Sequence, residues 1–240
     1  MDTDAKTDML CESLAVLEKA QRYNNWLFSN IEPFLGEEIL EVGCGIGTIT
    51  QLVQCGRRVV AIEPYEALFQ QAQKQFAGYR NIEFLPMGLE QYTTDQTRGD
   101  SFDSVICLNV LEHIEDDVAA LNCMGRHLKK DGTVVVMVPA LKKLYGPVDR
   151  SVGHWRRYGQ GQLKERFQAA GLKVIHAQYM NMVGALGWFV HGRILGRDDI
   201  NKRSVGIFER LVPVIRAVES VIKPPLGQSL IMVGQVDRVC

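Results

Sequence analysis

The chain has 240 residues and a formal net charge of −1; 46% of its residues are hydrophobic and 23% are charged. These values are typical of a globular chain of one large or two small domains, and they exclude collagen, coiled coil and extensive disorder. The near-neutral charge removes the usual electrostatic reason to expect a protein that binds nucleic acid.

The cysteine pattern indicates reduced thiols. Six cysteines are scattered along the chain without a C-x-x-C pair, so a zinc site is not predicted. Cys107 lies in an apolar run, which suits a buried thiol. The first residues carry Asp2, Asp4 and Asp8 and no early apolar run, so no secretory signal is predicted. A cytoplasmic protein is therefore expected.

Apolar runs of strand length alternate with helical patterns along the chain. The runs are rich in Val and Ile without clean alternation, as expected for strands covered on both faces. The predicted strands are Glu38–Val42, Arg58–Glu63, Ile82–Leu85, Phe102–Leu108, Thr133–Val138, Lys173–Tyr179 and Ser229–Val236. The predicted helices are Thr48–Gln54, Tyr65–Ala77, Asp116–Lys129 and Gln160–Ala170. This order predicts an α/β fold, a doubly wound and mostly parallel sheet of seven strands.

Two segments exceed a minimal alternation, at about 140–159 and 180–228. Long structureless loops are improbable in a compact domain, so both are predicted to be helical insertions within one domain spanning 1–240. Each leaves the carboxyl end of a strand, where open α/β sheets bind ligands, so both are expected to form a lid or pocket wall. Trp188 and Phe189 either line an apolar substrate pocket or form the core of the second insertion.

The uncharged run Val174–Gly192 contains polar residues and three glycines, so a membrane-spanning helix is not predicted there. A surface contact with a membrane stays open.

The strongest motif begins at an apolar strand that ends in Glu41 and Val42 and runs into Gly43, Gly45 and Gly47. Alternating glycines allow the backbone to turn tightly and approach a ligand. The unpaired N–H groups of the following helix face the same place. A dinucleotide-binding loop has the spacing G-x-G-x-x-G, but Thr48 occupies the last glycine position, which weakens a nicotinamide interpretation.

Glu63 ends the next predicted strand, 22 positions after Glu41. An acidic residue at this distance from a glycine loop can accept hydrogen bonds from both ribose hydroxyls of a nucleotide. The combination therefore predicts a cofactor that contains a ribose.

With these motifs the sequence resembles the class I S-adenosylmethionine-dependent methyltransferases, over about Tyr23 to Val236. The resemblance rests on the glycine loop and Glu63, on Phe102-Asp103 leading to Asn109-Val110-Leu111-Glu112-His113-Ile114, and on Leu128-Lys129-Lys130-Asp131-Gly132-Thr133. The sequence is similar to the small-molecule branch that includes ubiquinone-biosynthesis O-methyltransferases. It resembles more closely bacterial members with Leu144-Tyr145-Gly146 and Gly153-His154-Trp155-Arg156-Arg157-Tyr158, which implies no particular substrate.

The resemblance implies S-adenosylmethionine as cofactor and a reversed last strand. It implies that Glu41 helps to hold the cofactor amino group, that Glu63 binds the ribose, and that Asn109 faces the methionine portion through its backbone. The residues expected to line the cofactor are Tyr23, Glu41, Gly43, Cys44, Gly45, Gly47, Glu63, Pro64, Gly88, Leu89 and Asn109. Many relatives place an Asp after the third strand to bind adenine; here Pro86-Met87-Gly88-Leu89 stands instead, and the backbone of Gly88 and Leu89 is the predicted substitute.

Three residues are candidates for catalysis: His154, His113 and Tyr145. A histidine can accept a hydroxyl proton near neutral pH. The alternatives are structural: a hydrogen-bonded helix start for His113, and a salt-bridged turn of Arg156 and Arg157 with His154 packed beneath it. In the functional alternative the two arginines bind a carboxylate or phosphate. Tyr23 likewise either reaches the cofactor carboxylate or only packs its helix on the sheet. No metal is assigned.

The sequence therefore predicts methyl transfer to a small organic acceptor with an apolar portion, most simply at a hydroxyl oxygen. Nucleic acid is not expected as substrate, because the turn after the fourth strand lacks the Pro-Pro tetrapeptide of nucleic-acid amino-methylating relatives. The alternatives are a membrane-peripheral enzyme acting on a lipid or polyprenyl-linked glycan, and a non-catalytic S-adenosylmethionine-binding protein. The oligomeric state stays open.

Overall fold

The computed structural model describes residues 18–95, 101–189 and 202–236. Its seven strands are β1 Glu38–Val42, β2 Arg58–Ile62, β3 Ile82–Leu85, β4 Phe102–Leu108, β5 Leu128–Pro139, β6 Leu172–Met180 and β7 Ser229–Val236. They form one sheet in the order β3-β2-β1-β4-β5-β7-β6. Strand β7 is antiparallel to both of its neighbours, and the other pairs are parallel. The predicted sheet and its reversed last strand are therefore confirmed.

Helices cover both faces of the sheet, as a doubly wound fold requires. They are α1 Gln21–Ile31, α2 Thr50–Val53, α3 Glu66–Gln75, α4 Leu89–Thr94, α5 Asp117–Arg126, α6 Pro147–Ser151, α7 Gln160–Ala169, α8 Met182–Phe189 and α9 Lys202–Val221. One buried core joins the sheet to α4, α5 and α7, and a second joins it to α1, α2 and α9. Burial on both faces explains why the strands read as continuous apolar runs.

The main difference from the predicted elements lies between α5 and β5. The helical pattern predicts a helix to Lys129, but α5 ends at Arg126 and β5 begins at Leu128. The Lys129 ammonium lies 2.8 Å from a Glu38 carboxylate oxygen and 2.9 Å from one of Asp103. Contacts with the neighbouring strands, which are distant in sequence, thus override a local helical pattern.

Both insertions contain helices, as predicted. The first holds a 3₁₀ turn, Lys142–Leu144, and α6, and the second holds α8 and α9. Helix α9 is tied to the rest of the fold by two glutamates. Glu209 accepts hydrogen bonds from the backbone N–H groups of Arg22 and Tyr23, both at 2.9 Å, at the start of α1. Glu219 accepts from the N–H groups of Asn181 and Met182, at 3.0 and 2.8 Å. A carboxylate at a helix start satisfies N–H groups that the helix leaves unpaired.

Two further observations concern the environment of the chain. Among the described residues, Cys44, Cys55, Cys107 and Cys123 are unpaired thiols, in agreement with the sequence. None of the helices in the described ranges is both long enough and apolar enough to cross a bilayer.

Candidate active site

The loop that follows β1 requires glycine at two positions for packing reasons. Gly43 and Gly47 have positive φ angles of 71° and 87°, which L side chains rarely adopt. A Cβ on Gly43 would lie 2.4 Å from Val110 Cγ2, and a Cβ on Gly47 would lie 2.5 Å from Phe76 Cε2. Both distances are far below van der Waals contact. The bare backbone lets the loop pack directly against the turn after β4 on one side and the end of α3 on the other.

Glu63 connects the end of β2 to this loop. One of its carboxylate oxygens accepts the Gly45 N–H at 2.8 Å, and the other accepts the Tyr65 N–H at 3.0 Å. Burial raises the pKa of Glu63, and the two backbone hydrogen bonds oppose that rise. Each carboxylate oxygen has a further lone pair to offer, so the group fits two ribose hydroxyls as donors. The structure thus brings Glu63 and the glycine loop together.

The side chains of Glu41 and Cys44 are buried. Glu41 is 5% exposed, and its carboxylate accepts a hydrogen bond from the Thr50 hydroxyl at 2.7 Å. Burial raises the pKa of Glu41 to about 8. The Cys44 side chain is part of the buried core, and burial raises the pKa of its thiol well above the usual range. Cys44 therefore presents only backbone to a ligand.

The residues predicted on the adenine side lie together at the ends of β2 and β3. A Cβ on Gly88 would lie 3.9 Å from Pro64 Cβ, so the two residues are neighbours across the sheet edge. Gly88 precedes the first residue of α4, Leu89, and its N–H donates to the Gln91 side chain at 3.0 Å. The Gly88 N–H is thus already used within the chain. Gly88 and Leu89 were predicted to bind the adenine through their backbone, in place of an Asp side chain. Of the two, the N–H of Leu89 is the better placed for this, because it belongs to the unpaired first turn of a helix.

Asn109 and Tyr23 occupy two further places near the sheet edge. Asn109 is exposed directly after β4 with φ of 56°, and its N–H donates to the Met137 carbonyl at 2.8 Å. The Tyr23 ring lies 5.8 Å from that of Phe208 on α9, and its hydroxyl contacts the Ser229 side chain at the start of β7. Burial raises the pKa of the Tyr23 hydroxyl. These contacts are those of a packing aromatic, and a cofactor role for Tyr23 stays a prediction.

The three catalytic candidates lie close to one another. The rings of His113 and His154 are 4.7 Å apart between centroids, and the Tyr145 hydroxyl donates to the His154 carbonyl at 2.9 Å. The Trp155 N–H donates to the Glu112 carbonyl at 2.8 Å, which ties the first insertion to the turn after β4. The structure therefore brings His154 next to the turn whose Val110 contacts the glycine loop.

Asp149, which the sequence did not reveal, orients His154. Its carboxylate oxygen Oδ1 lies 3.0 Å from His154 Nδ1 and accepts the Arg157 Nε–H at 2.7 Å. Burial alone raises the pKa of Asp149, but the hydrogen bond from His154 and the Arg157 guanidinium bring it below its usual value. An anionic Asp149 at Nδ1 favours the tautomer whose Nε2 carries a free lone pair.

Glu112 belongs to the motif after β4, but the sequence assigned it no role. Its side chain is fully buried, neither carboxylate oxygen has a hydrogen-bond partner, and burial raises its pKa to about 8. One of these oxygens lies 3.8 Å from His154 Nε2. Ligand atoms of Glu112, His113 and His154 lie within 4.8 Å of one another, so the set has the composition of a divalent-cation site.

The arginines of the first insertion form salt bridges within the protein. The Arg156 guanidinium donates to Asp117 at 2.9 Å and to the Glu115 carbonyl at 2.7 Å. Arg157 is 3% exposed and bonds to Asp149 and the Ala140 carbonyl. The structure therefore agrees with the structural alternative for these two arginines, in which they hold the insertion in place.

Fold and site together define a doubly wound α/β domain in which a glycine loop lies against a strand-end carboxylate, an arrangement that suits a ribose-containing cofactor. A family model described as "Methyltransferase domain" matches residues 16–177. The chain belongs to this family as a class I S-adenosylmethionine-dependent methyltransferase domain, which confirms the resemblance. S-adenosylmethionine is accordingly its cofactor.

Curated relatives share part of the chain. This chain is 32% identical over 126 residues to tRNA U34 carboxymethyltransferase of Alteromonas mediterranea, and the match covers 47% of this chain and 37% of the relative. It is 33% identical over 110 residues to the mitochondrial ubiquinone biosynthesis O-methyltransferase of Bos taurus, covering 44% and 29%. The chain thus spans less than two fifths of the length of these relatives.

Solved structures share the fold. A chain in the complex of the Haloferax volcanii Trm112 methyltransferase activator with a methyltransferase has a TM-score of 0.65 at 16% identity, covering 97% of this chain and 98% of that one. An S-adenosylmethionine-dependent methyltransferase of Archaeoglobus fulgidus has a TM-score of 0.59 at 13% identity, covering 90% and 93%. At these identities the similarity establishes the fold alone.

Proposed function

We propose that the protein transfers the methyl group of S-adenosylmethionine to a hydroxyl oxygen of a small organic acceptor with an apolar portion. The observation that carries this proposal is the Asp149–His154 pair beside the turn after β4. A histidine oriented through Nδ1 by a carboxylate presents Nε2 as a proton acceptor, which a hydroxyl nucleophile needs more than an amine does.

The chemistry divides between the cofactor and the chain. Bound S-adenosylmethionine supplies an electrophilic methyl group on a sulfonium. His154 Nε2 would accept the proton of the acceptor hydroxyl, and the Asp149 carboxylate would stabilise the resulting imidazolium. Tyr145 fixes the His154 backbone through its hydroxyl. Holding the two reacting atoms about 3 Å apart supplies several kcal/mol of the barrier reduction.

On the cofactor side, Glu63 would hold the two ribose hydroxyls, and Pro64 and the backbone of Leu89 would lie beside the adenine. The backbone of Gly43, Gly45 and Asn109 follows the methionine portion. Glu41 helps to hold the cofactor amino group, directly or through water.

The acceptor class is supported by the O-methyltransferase relatives and by the apolar residues of the two insertions. A tRNA acceptor, suggested by the name of one relative, is disfavoured by the net charge of −1, because nucleic-acid binding requires a basic surface. The geometry at Glu112, His113 and His154 also fits a divalent cation. We propose catalysis by His154 without a metal, and the EDTA arm of the test below separates the two mechanisms.

The test is turnover measured by mass spectrometry with S-adenosylmethionine and a panel of acceptors. The panel contains a phenol with an isoprenoid tail, its amine analogue, an undecaprenyl-linked sugar and unmodified tRNA. We expect a mass gain of one methyl group on the phenol, unchanged after dialysis against EDTA. Methylation only of the amine or of tRNA would refute the proposal, and binding without turnover on any acceptor would favour a non-catalytic role. Loss of turnover with EDTA and recovery with Mg²⁺ or Mn²⁺ would instead assign a metal site.

A further inference from the structure

The outward face of α9 is apolar and exposed. Its aliphatic side chains recur at helical spacing and are between 47% and 83% exposed: Ile207, Leu211, Val214, Val218, Val221 and, just beyond the helix, Ile222. Five of the six are β-branched and stiff, and they form a continuous stripe with Pro213 and Ala217. Isolated exposed aliphatic residues are ordinary, whereas a contiguous apolar stripe of this length marks a surface that contacts another partner.

The opposite face of α9 is already engaged with the rest of the protein. Val212 and Ile215 are buried in the core that joins α1 to the sheet, and Phe208 packs against Tyr23. Glu209 and Glu219 also point inward, because each binds two backbone N–H groups of other elements. The helix therefore cannot turn to bury its outward stripe without losing these contacts.

The charged residues of this segment are also unevenly distributed around the helix. Residues 202–223 contain five basic residues and two acidic residues, and both acids are the inward-facing Glu209 and Glu219. Arg210, Arg216 and Lys223 are exposed. Arg210 borders the stripe and Lys223 follows its last residue, whereas Arg216 lies on the side of the helix that carries Val212. An apolar stripe with basic side chains at its border is the pattern of a helix that lies in the interface of an anionic membrane.

We propose that α9 docks the protein on the surface of a bilayer that contains anionic phospholipid. The stripe enters the boundary between headgroups and acyl chains, and Arg210 and Lys223 bind lipid phosphates. The helix lies on the surface rather than spanning the bilayer, because its inner face is committed to the fold. Since α9 packs on α1 and clamps the start of α8, docking places the second insertion against the membrane. This inference does not depend on the acceptor of the proposed methyl transfer.

A second copy of the chain fits this face less well. A symmetric dimer brings the same patch of both subunits together. Arg210 and Lys223 of both subunits would then share one interface, and the two acids of the segment already bind backbone groups. A lipid surface supplies the anions that a second copy lacks.

The test is flotation of the full chain with vesicles of phosphatidylcholine alone or with about one third phosphatidylserine. We expect binding to the anionic vesicles that weakens with added NaCl, because salt screens exposed charges. The double substitution Val214→Asp and Val218→Asp should reduce binding at least about tenfold. Arg210→Glu with Lys223→Glu should remove the preference for anionic vesicles. The matched control Lys74→Glu with Arg80→Glu, exposed residues of α3 and the loop after it, should bind as the parent does.

Circular dichroism and affinity for S-adenosylhomocysteine verify that each variant is folded. Because the substituted side chains are exposed, both measurements should match those of the parent. Failure of the parent chain to float with any vesicle would overturn the proposal, as would equal binding by the parent and the α9 variants. Sedimentation that shows a dimer of the parent chain, dissociated by Val214→Asp with Val218→Asp, would assign the face to a second copy instead.

Discussion

The Asp149 carboxylate lies 3.0 Å from His154 Nδ1, and the same oxygen accepts the Arg157 Nε–H at 2.7 Å. A second oxygen of Asp149 accepts the Gly146 N–H at 2.9 Å. Three residues of one short insertion, Asp149, Arg157 and Gly146, thus hold a single imidazole in position. Because Nδ1 is occupied, Nε2 is the ring nitrogen available for chemistry, and it faces the turn after β4, where the acceptor is proposed to bind.

Substitution of His154 tests the proposed proton acceptor. We expect His154→Ala to lower kcat by about 10²–10⁴-fold, the usual contribution of a positioned general base. The dissociation constant of S-adenosylhomocysteine, measured by calorimetry, should stay unchanged, because no cofactor contact is lost. His176→Ala is the matched control, since His176 lies on β6 and stacks on Phe34. Full turnover by His154→Ala would exclude it as the base.

The proposed role of Asp149, which is to position His154, is tested by combining substitutions of the two residues. If Asp149 acts through His154, Asp149→Asn lowers kcat in the parent enzyme and has no further effect in the His154→Ala background. A purely structural role would instead lower activity equally in both backgrounds. Urea unfolding of each variant separates loss of stability from loss of catalysis, because Asp149 also pairs with the buried Arg157.

Much of the fold could be predicted because local patterns and tertiary packing agree in the sheet. Strands β1, β3, β4 and β7 have the predicted bounds, since each is a short apolar run between clear turn signals. The helices were harder to predict than the strands. Helix α4 has two turns and few apolar residues, and α6 is a single turn that begins at Pro147, so neither produces a readable period. The end of α5 was wrong by three residues because Lys129 pairs with acids of distant strands.

The ribose role of Glu63 is tested by calorimetry with S-adenosylhomocysteine. Glu63→Ala should weaken binding about 10²-fold, because hydrogen bonds to a charged group contribute about 1.5–3 kcal/mol each. The loss should nearly vanish for an analogue with 2′,3′-dideoxyribose, which lacks the hydroxyls. Glu66→Ala, an exposed acid on α3, is the control. An equal loss with both ligands would show that Glu63 acts only by holding the glycine loop through Gly45.

The site was predictable where the chemistry lies in contiguous motifs, and not where it depends on three-dimensional contacts. The glycine loop and Glu63 are readable because strand ends meet at one sheet edge. Asp149 is a single acid in a short, irregular insertion, and only the fold brings it against His154. Glu112 stands beside a predicted residue, but nothing in its neighbours along the chain indicates that its carboxylate is fully buried.

Gly43→Ala tests the close packing of the loop against the turn after β4. We expect a loss of roughly 2–4 kcal/mol in the free energy of unfolding in urea, from the left-handed backbone and from overpacking against Val110. Gly56→Ala is the control for backbone strain alone, because Gly56 has φ of 72° and no atom within 4 Å of its Cβ position. Adding Val110→Ala should recover the packing part only. Equal losses for Gly43→Ala and Gly56→Ala would contradict the steric argument.

Glu41 gives the protein a pH dependence of stability with a definite sign. Burial raises its pKa from 4.5 to about 8, so between these values the folded state keeps a proton that the unfolded state has released. The contribution of Glu41 to stability is therefore complete below pH 4.5 and decreases as the pH rises toward 8. At about 1.4 kcal/mol per pH unit, the decrease between pH 5 and pH 7.5 is roughly 3 kcal/mol. Glu41→Gln keeps the neutral form at every pH, so its urea unfolding free energy should lose that slope, while Glu66→Gln should keep it. A slope in Glu41→Gln as steep as in the parent chain would mean that Glu41 is already ionised in the folded protein.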